Sequence, residues 1–183
     1  DRCYGDYETM AAAEQARKDG IEAVAIVTPN HVHVPAAKAF LKAGIHVICD
    51  KPLSTSLRDA LALEKLVKAS GLVFCLTHNY TGYPMVRHAR QMVADGALGE
   101  LRVVQVEYPQ DWLTEPIERS GQKQAAWRTD PRQSGGGAIG DIGTHAHNLA
   151  AFVTGLELDS VLADVDTFVK GRKVDDNVNV LLR

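Results

Sequence analysis

The sequence predicts an α/β chain that opens with a doubly wound parallel sheet and continues into an α+β unit with antiparallel strands. Three observations carry this expectation. Strand, helix, strand, helix and strand patterns succeed one another between residues 23 and 76, the order that right-handed crossovers turn into a parallel sheet. The first strand run, Ala23-Val24-Ala25-Ile26-Val27, is almost continuously apolar, as in a strand covered on both faces. Beyond Thr77 the runs alternate apolar and polar residues instead, as half-solvated antiparallel strands do. The chain of 183 residues therefore reads as two parts, 1–78 and 79–183, with the boundary near 77–80.

In order along the chain, the alanine-rich stretch 9–19 predicts a helix that stops at Gly20. After the first strand comes Thr28-Pro29-Asn30, and then a helix from Pro35 through Ala43 closed by Gly44, with proline at its start and glycine at its end. Ile45 to Cys49 forms the second strand and leads straight into Asp50-Lys51-Pro52. Ser56-Leu57-Arg58-Asp59 has the form of a capping box and starts a helix that ends at Gly71, before a third strand, Leu72 to Leu76. In the second part, Pro84 to Ala94 reads as a helix ending at Gly96, and 101–108 as an alternating strand. Residues 109–134 read as an irregular loop, functional or mobile at that length. A helix over 141–154 follows, then strands over 161–169 and 178–182.

Composition narrows the function. Hydrophobic content of 45%, charged content of 23% and a net charge of −3 are ordinary for a soluble globular protein and argue for neither nucleic acid nor a membrane surface as partner. Cys3, Cys49 and Cys75 are too few and too scattered for a disulfide framework or a zinc knuckle. Cys49 and Cys75 fall in apolar strand runs, which reads as buried free thiols in a reducing compartment. With no signal peptide and no bilayer-length apolar run, the expectation is a cytoplasmic protein.

The chemistry-bearing stretch is Gly135-Gly136-Gly137 through Asn148. On a helix, Asp141, His145 and Asn148 stand at i, i+4 and i+7 and share one polar stripe, while the glycines let backbone approach a ligand. A carboxylate one turn from an imidazole orients the ring, although an Asp near a helix start is also an ordinary cap. In an open parallel sheet, ligands gather beyond the carboxyl ends of the strands, where Thr28-Pro29-Asn30 and Asp50-Lys51-Pro52 lie. Lys51 there is either a donor to a substrate hydroxyl or a solvated turn lysine. A metal site built on Asp141, His145 and His78 or His147 is disfavoured, because His145 and His147, two apart on a helix, point away from each other.

The apolar strand, Thr28-Pro29-Asn30, His33, the helix, Gly44, His46-Val47 and Lys51-Pro52 together resemble the second half of the Rossmann domain of the Gfo/Idh/MocA oxidoreductases. The Gly135-Gly136-Gly137-x-x-x-Asp141-x-Gly143-x-His145 pattern is similar to that family's second signature, and Gly96-Ala97-Leu98-Gly99 to its turn after the helix. The resemblance implies a Rossmann sheet followed by an open, mainly antiparallel sheet domain. It implies an NAD(P)-dependent oxidoreductase acting on a sugar or polyol, with NAD or NADP as cofactor and a dimer or tetramer as assembly. By the same resemblance Lys51, Asp141 and His145 are the catalytic set. Thr28, Pro29, Asn30, His33, Asp50, Lys51, Pro52, Asn79, Trp127 and Arg128 line the dinucleotide or its cleft, and Tyr80 lies on the same junction segment as Asn79. Asp175 and Asp176 resemble a polar pair of the family's sheet and read equally well as a solvated turn.

This chain has Asp50 where the family usually has glutamate, a shorter reach for any ribose contact. The family's first strand and its Gly-x-Gly-x-x-Gly loop match nothing in the chain, and the final strand pattern reaches Arg183, so the expectation is an internal segment of a longer enzyme. A non-catalytic dinucleotide-binding regulator and an internal-redox enzyme that keeps its NAD bound are the alternatives.

Overall fold

The computed structural model describes residues 2–183. The chain divides into two compact units, residues up to Thr77 with Arg132–Gly135, and His78–Pro131 with Gly136–Arg183.

In the first unit, β1 (Ala23–Ile26), β2 (His46–Asp50) and β3 (Phe74–Thr77) form a parallel sheet in the order β1-β2-β3. Helices α1 (Tyr7–Gln15), α2 (Asn30–Lys42) and α3 (Leu57–Ser70) connect and flank the strands. The core gathers Phe40, Leu63, Val47, Cys49 and Ile26, with Val24 and Phe74 packed against it. Burial pushes the Cys49 thiol up to about 12, so it stays an inert thiol.

Several local expectations change. Helix α1 begins at Tyr7 because the Asp6 carboxylate accepts the Thr9 N–H at 2.6 Å. It ends at Gln15 rather than near Gly20, whose backbone crosses so close to Glu14 that an added Cβ would lie 2.0 Å from the Glu14 carbonyl oxygen. Helix α2 begins five residues before Pro35, at Asn30, and carries that proline inside it. The one backbone hydrogen bond forfeited at Pro35 is offset by the buried face of Val34, Ala36, Ala37, Phe40 and Leu41. The sheet is covered on one face only: Ala25, Ile48 and Cys75, neighbours in register, are all exposed. Cys75 is therefore an exposed thiol, against the expectation of burial, and Cys3 is exposed as well. The Ser56 cap on the Asp59 N–H and the left-handed Gly71 (φ 68°) frame α3 as the sequence predicts.

In the second unit, α4 (Pro84–Ala94) matches the predicted helix. Residues 109–134 are not one irregular loop: they hold a 3₁₀ turn (Ile117–Ser120) and helix α5 (Lys123–Arg128) in this unit, and helix α6 (Pro131–Ser134), whose residues 132–134 belong to the first unit. Helix α7 (Thr144–Thr154) ends on the left-handed Gly155 (φ 73°) and packs on α4. Strands β4 (Val161–Asp166) and β5 (Asn177–Leu182) pair with each other, antiparallel. Residues 101–108, predicted as a strand, lie outside every sheet among the described residues, and Val103 is 84% exposed. Alternation supplies a strand's side chains but not a partner edge to pair with.

Candidate active site

In the first unit the carboxyl ends of β1 and β2 lie side by side, with Ile26 opposite Cys49 and Asp50 opposite Thr77 on β3. Thr77 donates its hydroxyl to Asp50 Oδ1 at 2.7 Å, which leaves Oδ2 of this exposed carboxylate able to accept a ligand hydroxyl. Lys51 is half-buried and the Lys51–Pro52 peptide is cis. Thr28 is exposed and Pro29 half-buried on the neighbouring turn.

Two residues expected along the dinucleotide are committed inward instead. His33 is 1% exposed, with Nδ1 2.8 Å from the Pro52 carbonyl and Nε2 2.9 Å from the Thr28 carbonyl. A neutral ring can donate to only one of them at a time, yet both ring nitrogens face protein acceptors. The ring bridges the turns that follow β1 and β2 and is not presented to a ligand. Asn30 is buried and donates its side-chain amide to the Ser134 carbonyl at 2.9 Å. It holds the Arg132–Gly135 segment, where Gly135 sits so tightly on Thr55 that a Cβ would come within 2.6 Å of it.

In the second unit the predicted helix over 141–154 is interrupted at its start. Ile139–Gly143 is a π turn, and the α-helix proper begins at Thr144. The segment that bears Asp141 is thus not the simple α-helical stripe expected, and such bulges cluster at functional sites. His145 is 9% exposed, its ring centroid 4.7 Å from that of Tyr80, 5.9 Å from His78 and 6.4 Å from Tyr108. The Tyr80 and Tyr108 hydroxyls share a hydrogen bond at 2.5 Å. That bond, burial and the charges of Tyr108, Tyr83 and Asp141 raise Tyr80 to about 12, so it remains a neutral donor. His147, two residues on, is exposed, in keeping with its opposite direction on the helix.

Arg128, expected to line the cleft, is engaged within its own unit. Its Nε stands 3.3 Å from Asp141 Oδ2, and its guanidinium lies over the Trp127 ring at 4.2 Å and the Trp112 ring at 5.8 Å. Within this unit Arg128 belongs to the carboxylate, and Trp127 to the arginine. Asn79 lies exposed on a 3₁₀ turn (Asn79–Gly82) next to Tyr80. Tyr108 carries no site signal in the sequence, where it falls in a strand pattern, and Asp175 stays open there between a polar pair of the sheet and a solvated turn, because its contacts with residues 137–139 have no local signal. Among the described residues no group of three or more His, Cys, Asp or Glu side chains could hold a metal ion, and no helix is long and apolar enough to cross a membrane.

This geometry can be compared with known proteins. Residues 2–80 match the model of the oxidoreductase family with an NAD-binding Rossmann fold, and residues 86–183 match the GFO/IDH/MocA C-terminal domain. The chain belongs to the Gfo/Idh/MocA family. An oxidoreductase from Sinorhizobium meliloti is 56% identical, with a TM-score of 0.86 over 100% of this chain and 46% of its own. An inositol dehydrogenase homolog from Azotobacter vinelandii, solved with NAD+, is 38% identical, with a TM-score of 0.93 over 99% of this chain and 47% of its own. The levoglucosan dehydrogenase of Pseudarthrobacter phenanthrenivorans is 33% identical over 88% of this chain and 44% of its own length. The Gfo/Idh/MocA chain described here thus spans about half the length of the relatives it matches. Its three-stranded parallel sheet and two-stranded antiparallel sheet agree with the fold class read from the sequence.

Proposed function

We propose that the protein is an NAD(P)-dependent oxidoreductase that moves a hydride between nicotinamide and a secondary alcohol of a sugar or polyol. The observation that carries this reading is His145, a buried imidazole set among the Tyr80 and Tyr108 phenols just after a π turn that bears Asp141. Polyhydroxylated substrates need convergent donors and acceptors of this kind, and the family relatives include dehydrogenases of levoglucosan and, by homology, inositol.

The residues of the first unit fit a dinucleotide. The exposed Asp50 carboxylate can accept from ribose, and Thr28, Pro29, Lys51 and Pro52 lie on turns that His33 ties together at the carboxyl ends of the strands. Asn79, exposed beside Tyr80, is assigned to the same ligand. When bound, the nicotinamide supplies the hydride acceptor or donor. Lys51 donates to the substrate oxygen and stabilises developing alkoxide charge. His145 holds the proton that leaves the hydroxyl, and Asp141, paired with Arg128, orients its ring. Tyr80, kept neutral, can orient a neighbouring hydroxyl. The same reading includes a cytoplasmic homo-oligomer, dimer or tetramer; Leu162 and Leu181, a register pair on the β4–β5 ribbon, are 69% and 72% exposed.

The test is absorbance at the reduced-nicotinamide band, with NAD and with NADP, across a panel of sugars and polyols. A rise that depends on one class of substrate is the expected result. No rise with any of them, despite dinucleotide binding by calorimetry, would refute the dehydrogenase reading.

A further inference from the structure

The segment that carries Asp141 starts on three amide groups with no helical partner of their own. Gly137 N–H donates to Asp175 Oδ1 at 2.8 Å, Ile139 N–H donates to Asp175 Oδ2 at 2.7 Å, and Ala138 N–H between them donates to the Asp175 carbonyl at 2.9 Å. A single residue thus takes three successive donors, the ones that a helix start leaves unsatisfied. Its negative charge also lies at the favourable end of the helical dipole. The fit is close enough to dictate residue type: a Cβ on Gly137 would lie 1.8 Å from the Asp175 carbonyl oxygen. The first internal bond of the segment, Asp141 N–H to the Gly137 carbonyl at 3.0 Å, is built directly on this anchor.

The anchor is itself braced. Asp176 accepts the N–H groups of Phe168 and Val169 at 2.7 and 3.1 Å. It also pairs with Arg172 at 3.1 Å, whose side chain is 1% exposed and reaches Glu118 and the Leu113 and Glu115 carbonyls. The turn that carries Asp175 is therefore held by several charge-assisted bonds centred on the buried Arg172, a firm base for its neighbour.

We infer that Asp175 is a positioning residue for the reaction, acting through the 137–139 amides to set Asp141 and His145. The inference rests on the dehydrogenase reading for its kinetic consequence, but its structural claim can be read without turnover. Misplacing a reacting group by an ångström costs on the order of 10²-fold in rate, and proton acceptors are sensitive to the orientation of their partners.

The experiment compares wild type with Asp175→Asn, which keeps the size but replaces one acceptor with a donor facing an N–H, and with Asp175→Glu. Asp175→Asn is expected to lower kcat by roughly 10- to 100-fold, with the dinucleotide KM unchanged and the pH profile of kcat/KM displaced. Asp175→Glu is expected to recover part of the loss. In parallel, NMR of histidine-labelled protein follows the titration of the His145 ring, which Asp175→Asn is expected to displace. A lower melting temperature with unchanged kcat, pH profile and His145 titration would reduce Asp175 to a purely structural role and overturn the inference. If wild type shows no dehydrogenase activity, the functional reading fails by itself, and the His145 titration still decides whether Asp175 positions that ring.

Discussion

The first unit gathers eleven buried apolar side chains into one cluster around Phe40, Leu63 and Val47. In the second, the buried apolar residues among those described are Ala125 and Val174, and His145 and Arg172 are buried as well. One unit is held by hydrophobic area, which is non-directional and indifferent to pH. The other is held by directional bonds among Arg172, Glu118, Asp175 and Asp176 and the amides they cap. The difference matches the work proposed for each. A sheet that only has to present two turns can rest on a generic core. A site that has to hold an imidazole and a carboxylate in register needs bonds that specify distance and angle.

The comparison is tested most severely by removing one element of each kind. Phe40→Ala should cost about 3–5 kcal/mol through the lost transfer energy and the cavity left behind. Arg172→Ala should cost less, about 1–3 kcal/mol, because the half-buried Glu118 and Asp176 lose their cation and the Leu113 and Glu115 carbonyls lose a donor. The readouts differ: both tryptophans, Trp112 and Trp127, lie in the second unit, so their fluorescence reports it alone. In denaturant, Arg172→Ala should shift the tryptophan transition more than the far-ultraviolet dichroism transition, and Phe40→Ala the reverse. Equal shifts of both signals for both variants would erase the distinction between the units.

A smaller effect is expected from acid. Burial pushes Glu118 up, but the Arg172 hydrogen bond and charge, with its own backbone N–H, outweigh this and hold it below the usual glutamate range. A carboxyl lowered on folding stabilises fully above its unfolded value of about 4.3, and the contribution is lost as pH falls through the lowered folded value. Glu14 in the first unit, held low by Arg2 and Tyr4, is acid-sensitive too, but the apolar cluster beside it is not. On acidification below about pH 4, tryptophan fluorescence should therefore change before helical dichroism does, and coincident changes would contradict this.

The sequence made legible what depends on periodicity and on end signals. The Ser56 cap, the closing Gly71 and Gly155, helix α4 and the parallel strand order all follow from local pattern and chain order. The errors arose where a distant partner decides the outcome. Nothing near Asn30 or His33 tells that the Asn30 amide donates to Ser134 or that the His33 ring nitrogens face Pro52 and Thr28. Asp175 reads as a turn residue until its amide partners are seen, 36 and 38 residues away. The π turn at 139–143 is likewise invisible to a 3.6-residue template. Cys75 is exposed although its apolar run predicts burial, because one face of this sheet is open.

The most direct measurement is single-turnover hydride transfer in Lys51→Met beside calorimetric dinucleotide affinity. The account predicts transfer slowed about 10²- to 10⁴-fold, the usual worth of a positioned proton donor or acceptor, with affinity nearly unchanged. Transfer at close to the wild-type rate would show that the lysine at the end of β2 takes no part in the chemistry.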